Sequence, residues 1–198
     1  MVDIHAITGL VLAGGRGTRM GGVDKGLQDF HGQPLALHAL NRLRPQVGPL
    51  MLNANRHLAD YTAFGVPIWP DADAEFAGPL AGMLAGLTHC TTPYLATVPC
   101  DAPLFPLDLV ERLAAVKADI VVATAPDATG VQRLQPVFCL LRTGLQGSLA
   151  QFLATGGRKV GQWMTQHQCV RVAFGEAAAF ANANTLDELA DIQHQIGF

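Results

Sequence analysis

The stretch AITGLVLAGGRGTRMGGVDKGL, residues 6–27, decides the fold. Its first part, Ala6 to Leu12, is a short apolar run that stops at glycines, the pattern of a buried strand. Its second part places Gly14, Gly15 and Gly17 among the cations Arg16, Arg19 and Lys25. Glycine lets backbone N–H groups approach phosphate oxygens without a Cβ clash. Arg19 and Lys25 are the cations suited to stabilising charge on phosphoryl oxygens during transfer. Two common phosphate motifs are excluded. A Walker A loop needs glycine before its lysine, and Asp24 precedes Lys25 here. The fingerprint G-x-G-x-x-G begins at Gly15 and Gly17 but meets Met20 at its last position. A flexible glycine turn with solvated cations is the plain alternative. The strand before the loop and the DKGL ending favour phosphate binding.

Outward from this segment, apolar runs alternate with helical spacing. Strands are expected over Pro49 to Asn53, Val66 to Trp69, Tyr94 to Val98, Ile120 to Thr124 and Val137 to Leu141. Helices are expected over Leu35 to Leu43, Leu80 to Leu87, Leu107 to Val116, Leu145 to Leu153, Val160 to Met164 and Leu186 to Ile196. Gly78-Pro79 opens one of these helices and Pro106 favours the start of another. The order β-α-β-α-β predicts an α/β fold, a mostly parallel sheet with helices on both faces. Right-handed crossovers then put the strand C-terminal ends on one edge, where ligands bind.

Composition narrows the function. The 198 residues, 49% of them hydrophobic, suit one domain spanning 1–198 with one substantial core. A net charge of -3 offers no basic excess for a nucleic-acid backbone. Cys90, Cys100, Cys139 and Cys169 lie far apart, without the spacing of a zinc ribbon or a disulfide scaffold, and are expected to be reduced thiols in the cytoplasm. The N-terminus shows no signal-peptide pattern, and no run approaches the ~18 apolar residues of a membrane span. The seven histidines are scattered and form no recognisable site. Without an obvious interaction helix, a monomer is the default expectation.

A second chemical segment, TVPCDAPLFP, covers residues 97–106. Asp101 falls just past a strand, on the edge expected to carry the glycine loop. A hard cation such as magnesium takes one or two carboxylates together with phosphate oxygens and water. By itself Asp101 also fits a turn or helix cap. Cys100 has no evident histidine partner and reads as packing. Asn53 in NANRH both donates and accepts, and Asp71 in PDADAEFAGPLAG is a pure acceptor. Each also fits a strand-end turn or a loop cap. Gly78 to Gly82 would bring a helix N-terminus beside a nucleotide.

These motifs resemble the molybdenum cofactor guanylyltransferase family. It is marked by LAGG, R-M-G-G and D-K-G-L, present at Leu12–Gly15, Arg19–Gly22 and Asp24–Leu27. The wider nucleotidyltransferase superfamily carries G-x-G-T-R followed by P-K. Here GRGTR is followed by D-K, which favours molybdopterin enzymes over sugar-phosphate ones. Cytidylyltransferase relatives show LAAG, whereas residue 14 is glycine. C-D-x-P at Cys100–Pro103 is similar to the family's metal-binding signature, and FANANTLDEL, residues 180–189, to its F-x-N-x-N-T-x-x-E-L.

The resemblance implies a Rossmann-like nucleotidyltransferase fold and magnesium-dependent transfer of GMP from GTP to molybdenum-bearing molybdopterin, releasing pyrophosphate. It implies GTP contacts at Leu12, Ala13, Gly14, Lys25, Asn53, Asp71 and Asp101, with Asp101 also on magnesium, and the glycine loop and the helix start add Gly15 and Gly78 as expected GTP contacts. Asp71 would accept from the guanine N1–H and amino group, a pairing adenine does not satisfy. Catalytic roles fall to Arg19, Lys25 and Asp101. The acceptor would meet Lys159, within Gly156–Lys159, and Asn182 and Asn184; Asn184 also fits a helix cap, and Lys159 a solvated helix start. Gln135-Pro136-Val137 fits either the acceptor pocket or a simple strand entry. Molybdenum-insertion proteins and apo-molybdoenzymes are the implied protein partners. A CTP-dependent enzyme, a sugar-phosphate nucleotidyltransferase and a non-enzymatic molybdenum cofactor carrier stay open as alternatives.

Overall fold

A computed structural model describes residues 2–15, 23–72 and 78–196. Arg16, Gly17, Arg19 and Met20, all singled out above, lie outside the described residues. Strands β1 (Ile7–Leu12), β4 (Leu50–Asn53), β5 (Ile68–Trp69), β6 (Tyr94–Pro99), β7 (Ile120–Pro126), β8 (Gln132–Arg142) and β9 (Cys169–Ala173) form a seven-stranded sheet in the order β5-β4-β1-β6-β8-β7-β9. β2 (Asp29–Phe30) and β3 (Gln33–Pro34) make a small separate hairpin. All pairings in the large sheet are parallel except those of β8, which runs antiparallel to β6 and β7. The expected mostly parallel sheet is therefore present.

Side-chain alternation divides the core into two layers. Ile7 and Val11 of β1 point to one face and Leu10 and Leu12 to the other; Val121 and Val122 of β7 divide likewise. On the first face pack α1 (Leu35–Leu43), α2 (Leu58–Thr62) and α4 (Leu109–Ala114). On the second pack α3 (Pro79–His89), α5 (Gln146–Ala154) and α6 (Val160–Met164). α7 (Leu186–Ile196) closes over the hairpin, with Leu189 and Ile192 against Phe30 and Leu35.

Several expected boundaries move. β8 begins at Gln132 rather than Val137, because its first half pairs with β7 across the β7–β8 turn. β9 and α2 carry mixed polar patterns that periodicity does not separate from loops; pairing with β7 and burial of Tyr61 make them regular. The helix expected over Leu107 to Val116 contracts to Leu109–Ala114.

α3 approaches the sheet through glycine. A Cβ on Gly86 would overlap the Leu10 side chain, and one on Gly82 would overlap Asn53 Oδ1. Gly86→Val should therefore lower stability by about 1–3 kcal/mol through overpacking. This is measurable as a thermal midpoint lowered by about 2–4 °C per kcal/mol for a chain of this size. An unchanged midpoint would mean that α3 does not need that close approach.

Candidate active site

The parallel register brings three strand ends side by side. Leu12 pairs with Asn53 on one flank and with Pro99 on the other. The ladder continues one step into the loops: Ala13 N donates to Asn53 O at 2.8 Å and Cys100 N to Leu12 O at 3.0 Å. Leu12 and Ala13 are buried. Ala13 N–H and one lone pair of the Leu12 carbonyl are thus committed to neighbouring strands. Their role is to position the two glycines that come next in the chain. Among the described residues the amides of Gly14 and Gly15 donate to nothing, and Gly15 is exposed. These two remain able to receive phosphate oxygens.

Lys25 and Asp101 meet across this edge. Lys25 Nζ lies 3.0 Å from Asp101 Oδ2 and donates a second bond, also 3.0 Å, to Asn184 Oδ1. Both members of the ion pair are largely shielded, with side chains 20% and 18% exposed. Ala183 N donates to Asp101 O at 2.7 Å, so the segment before α7 is strung along Asp101. Asn184 is not the helix cap. Thr185 Oγ1 accepts from Glu188 N, while Glu188 Oε2 accepts from Asn184 N, which leaves the Asn184 amide to face Lys25. Asn182 is exposed beside it.

Lys25 is aimed by a buried carboxylate. Asp24 is only 6% exposed. Its Oδ1 accepts from Gly26 N (3.1 Å) and Tyr61 Oη (2.6 Å), and its Oδ2 faces His57 Nδ1 at 3.1 Å. An unpaired carboxylate at this depth would be strongly disfavoured, so these partners fix the turn that carries Lys25. Burial, and then the Asp24 carboxylate, push the Tyr61 phenol far above its ordinary range, so it remains a donor. A Cβ on Gly26 would overlap the same phenol. Tyr61 and His57 escaped the sequence reading; the one local clue was NANRH leading directly into α2.

Asp71 is held from below. Its Oδ1 accepts from Asn53 Nδ2 and its Oδ2 from Asn55 Nδ2, at 2.9 and 2.8 Å, and its own N–H donates to Asn55 Oδ1 at 2.8 Å. Asn53 also donates to Trp69 O and is 2% exposed. Asn53 therefore also supports Asp71. Asn55, missed in the sequence, is the second clamp and also donates to Gly14 O at 3.1 Å. Gly78, at φ 132°, precedes α3 without a side-chain cap, so the first amides of that helix face the same edge.

The loop after Asp101 is fastened by one stripe of α1 and its extension. His38 Nε2 bonds Pro103 O, Arg42 bonds the carbonyls of Leu104 and Phe105, and Gln46 Nε2 bonds Pro106 O. Burial lowers the His38 pKa, which favours a neutral ring donating through Nε2 and accepting from Gln33 at Nδ1. Burial first, then Asp101 and Asp24, push the Cys100 thiol well above its ordinary value, in keeping with a packing role.

For a metal, the donor set is small. Among the described residues no three acidic, histidine or cysteine side chains cluster as a protein-only cage. Asp101 Oδ1 accepts no bond among them. One available carboxylate oxygen fits a hard cation that completes its shell with phosphate oxygens and water. Lys159 is exposed at the start of α6, beside a depression of about 490 Å³ lined by Phe152, Thr155, Gly156, Gly157, Arg158 and neighbours. No described hydrogen bond or ion pair joins it to Lys25 and Asp101.

Comparison with known proteins places this geometry. Residues 9–171 match the MobA-like NTP transferase domain. A molybdenum cofactor guanylyltransferase from Acidovorax ebreus is 60% identical over 202 residues, covering 96% of each chain. The molybdopterin-guanine dinucleotide biosynthesis protein A of Archaeoglobus fulgidus superposes with a TM-score of 0.75 at 18% identity, covering 95% of this chain and 97% of that one. Rv0371c of Mycobacterium tuberculosis H37Rv, solved in complex with manganese, superposes at 0.68 with 19% identity, covering 96% and 99%. The last two show the shared fold. No helix among the described residues is long and apolar enough to cross a membrane.

Tyr61→Phe removes a donor from the buried Asp24 carboxylate. It should cost about 1–3 kcal/mol in chemical denaturation. Stability equal to the unsubstituted protein would mean that Asp24 does not depend on the phenol.

Proposed function

The chain belongs to the MobA-like NTP transferase family, among the molybdenum cofactor guanylyltransferases, and from that premise we propose that its 198 residues act as a single domain that joins GMP from GTP to the terminal phosphate of molybdenum-bearing molybdopterin. An acceptor phosphate oxygen forms a bond to the α-phosphorus of GTP, the α–β phosphoanhydride bond breaks, and pyrophosphate leaves with its electron pair. The acceptor is already an anion at neutral pH, so no strong general base is required. The difficulty is repulsion between two polyanions, which fixed cations and in-line positioning overcome.

The observation that carries this reading is the Lys25–Asp101 pair at 3.0 Å, at the C-terminal edge of the parallel strands beside two glycine amides that have no acceptor among the described residues. Gly14 and Gly15 would receive the triphosphate through backbone N–H groups, with the N-terminus of α3 adding its dipole. Lys25, with Arg19 from the loop, would neutralise charge on the phosphoryl oxygens. Asp101, shared with the triphosphate oxygens, would hold magnesium, which supplies further positive charge there. Asp71 would read the guanine edge, held in orientation by Asn53 and Asn55. Asn182, Asn184 and Lys159 would serve the acceptor side. We place the enzyme in the cytoplasm as a monomer, handing its product to apo-molybdoenzymes and working beside molybdenum-insertion proteins.

Turnover is measured as pyrophosphate released from GTP, magnesium and molybdopterin. Lys25→Ala should lower it by about 10²–10³-fold, the usual cost of one transition-state donor, while the folded fraction stays high. Activity equal to the unsubstituted enzyme would remove Lys25 from the mechanism, and GTP binding without pyrophosphate would favour a carrier. Asp71→Ala should weaken the preference for GTP over ATP in paired kcat/KM measurements; a retained preference would clear Asp71 of base reading.

A further inference from the structure

The carboxylate assigned to the metal has a side-chain cation on it. Lys25 Nζ sits 3.0 Å from Asp101 Oδ2, and Asn184 Oδ1, at 3.0 Å, holds the ammonium in that place. The arrangement is well supported. Asp24 and its partners fix the turn beneath Lys25, Ala183 N ties down Asp101, and Glu188 orients the Asn184 backbone. With two of its three donors committed, Lys25 is parked on the carboxylate.

We infer that Lys25 is a displaceable internal cation: it guards Asp101 until triphosphate draws it away, so the metal and the nucleotide bind as a coupled pair. The inference rests on Asp101 being the metal ligand. A dication at Asp101 Oδ1 would lie within a few ångströms of the parked ammonium and be repelled by it. No cluster of three acidic, histidine or cysteine side chains stands ready among the described residues to offset that repulsion. Triphosphate oxygens change both terms at once. They offer the ammonium stronger anionic partners than one shared carboxylate, and they supply the oxygens that the cation still needs. Each partner thereby raises the affinity of the other, as linkage requires. Metal that cannot settle without nucleotide also cannot seat the acceptor phosphate unproductively. Asn184, 159 positions away from Lys25 in sequence, is then a positioning residue for the parked state.

The test is Mn2+ binding to the protein without nucleotide, followed by water-proton relaxation or the free-ion spin-resonance signal. Lys25→Met should bind Mn2+ about tenfold more tightly than the unsubstituted protein, the size expected for removing one partly shielded competing cation. Asn184→Ala, which loosens the ammonium without deleting it, should move affinity the same way by a smaller factor. Equal Mn2+ affinity in Lys25→Met and the unsubstituted protein would overturn the inference. So would weaker binding in Asn184→Ala, since the amide would then be a ligand. Failure of the underlying assignment has a different signature: Asp101→Asn would leave the Mn2+ dependence of GTP binding unchanged.

Discussion

Everything at the site depends on the parallel ladder that ties Leu12 to Asn53 on one side and to Pro99 on the other. Parallel strands running in one sense end at one edge, and the crossovers leave that edge uncovered. Three loops far apart in sequence therefore begin within two strand spacings of each other. The ladder extends just past the strands, through Ala13 N to Asn53 O and Cys100 N to Leu12 O. Those bonds occupy backbone groups at the loop bases and, among the described residues, leave the Gly14 and Gly15 amides without an acceptor. The division between scaffold and ligand-binding backbone is thus a hydrogen-bond accounting, decided over two residues.

Charge is placed on that frame by carboxylates at different depths. Asp24 is buried and fully engaged, so it aims its neighbour rather than binding a ligand. Asp101 is partly exposed, with one oxygen uncommitted among the described residues, and is suited to a metal. Asp71 has one amide on each oxygen, which leaves each a lone pair for a further donor. Burial and partners, not residue type, separate the three roles. The D-K pair that distinguishes this chain from P-K relatives gains a physical reason: the aspartate is the buried anchor of the lysine's turn.

The loop after Asp101 lacks regular structure and carries Pro103 and Pro106, so its carbonyls need outside donors. His38, Arg42 and Gln46, spaced four residues apart, supply them in order. A helix that reads from sequence as a simple amphipathic element thus also sets the position of the loop that follows Asp101. The other side of the same helix buries Leu40 and Leu43 in the core, so core packing and loop position share one rigid body.

The sequence by itself determined the α/β alternation, the leading strand and the glycine loop with its cations, because periodicity and unusual local composition record these directly; Asp71 and Asp101 stood out only through the family motifs. The family motifs were legible for the same reason. Only the tertiary structure decided that Asn53 supports Asp71, that Thr185 rather than Asn184 accepts from the first turn of α7, and that Asn55, His57 and Tyr61 pack around Asp71 and Asp24. It also decided that β9 is a strand and that β8 extends back to Gln132. Each of these depends on a partner distant in sequence: a buried asparagine is told from an exposed one by what lies over it, and a short polar strand by the neighbour that completes its hydrogen bonds.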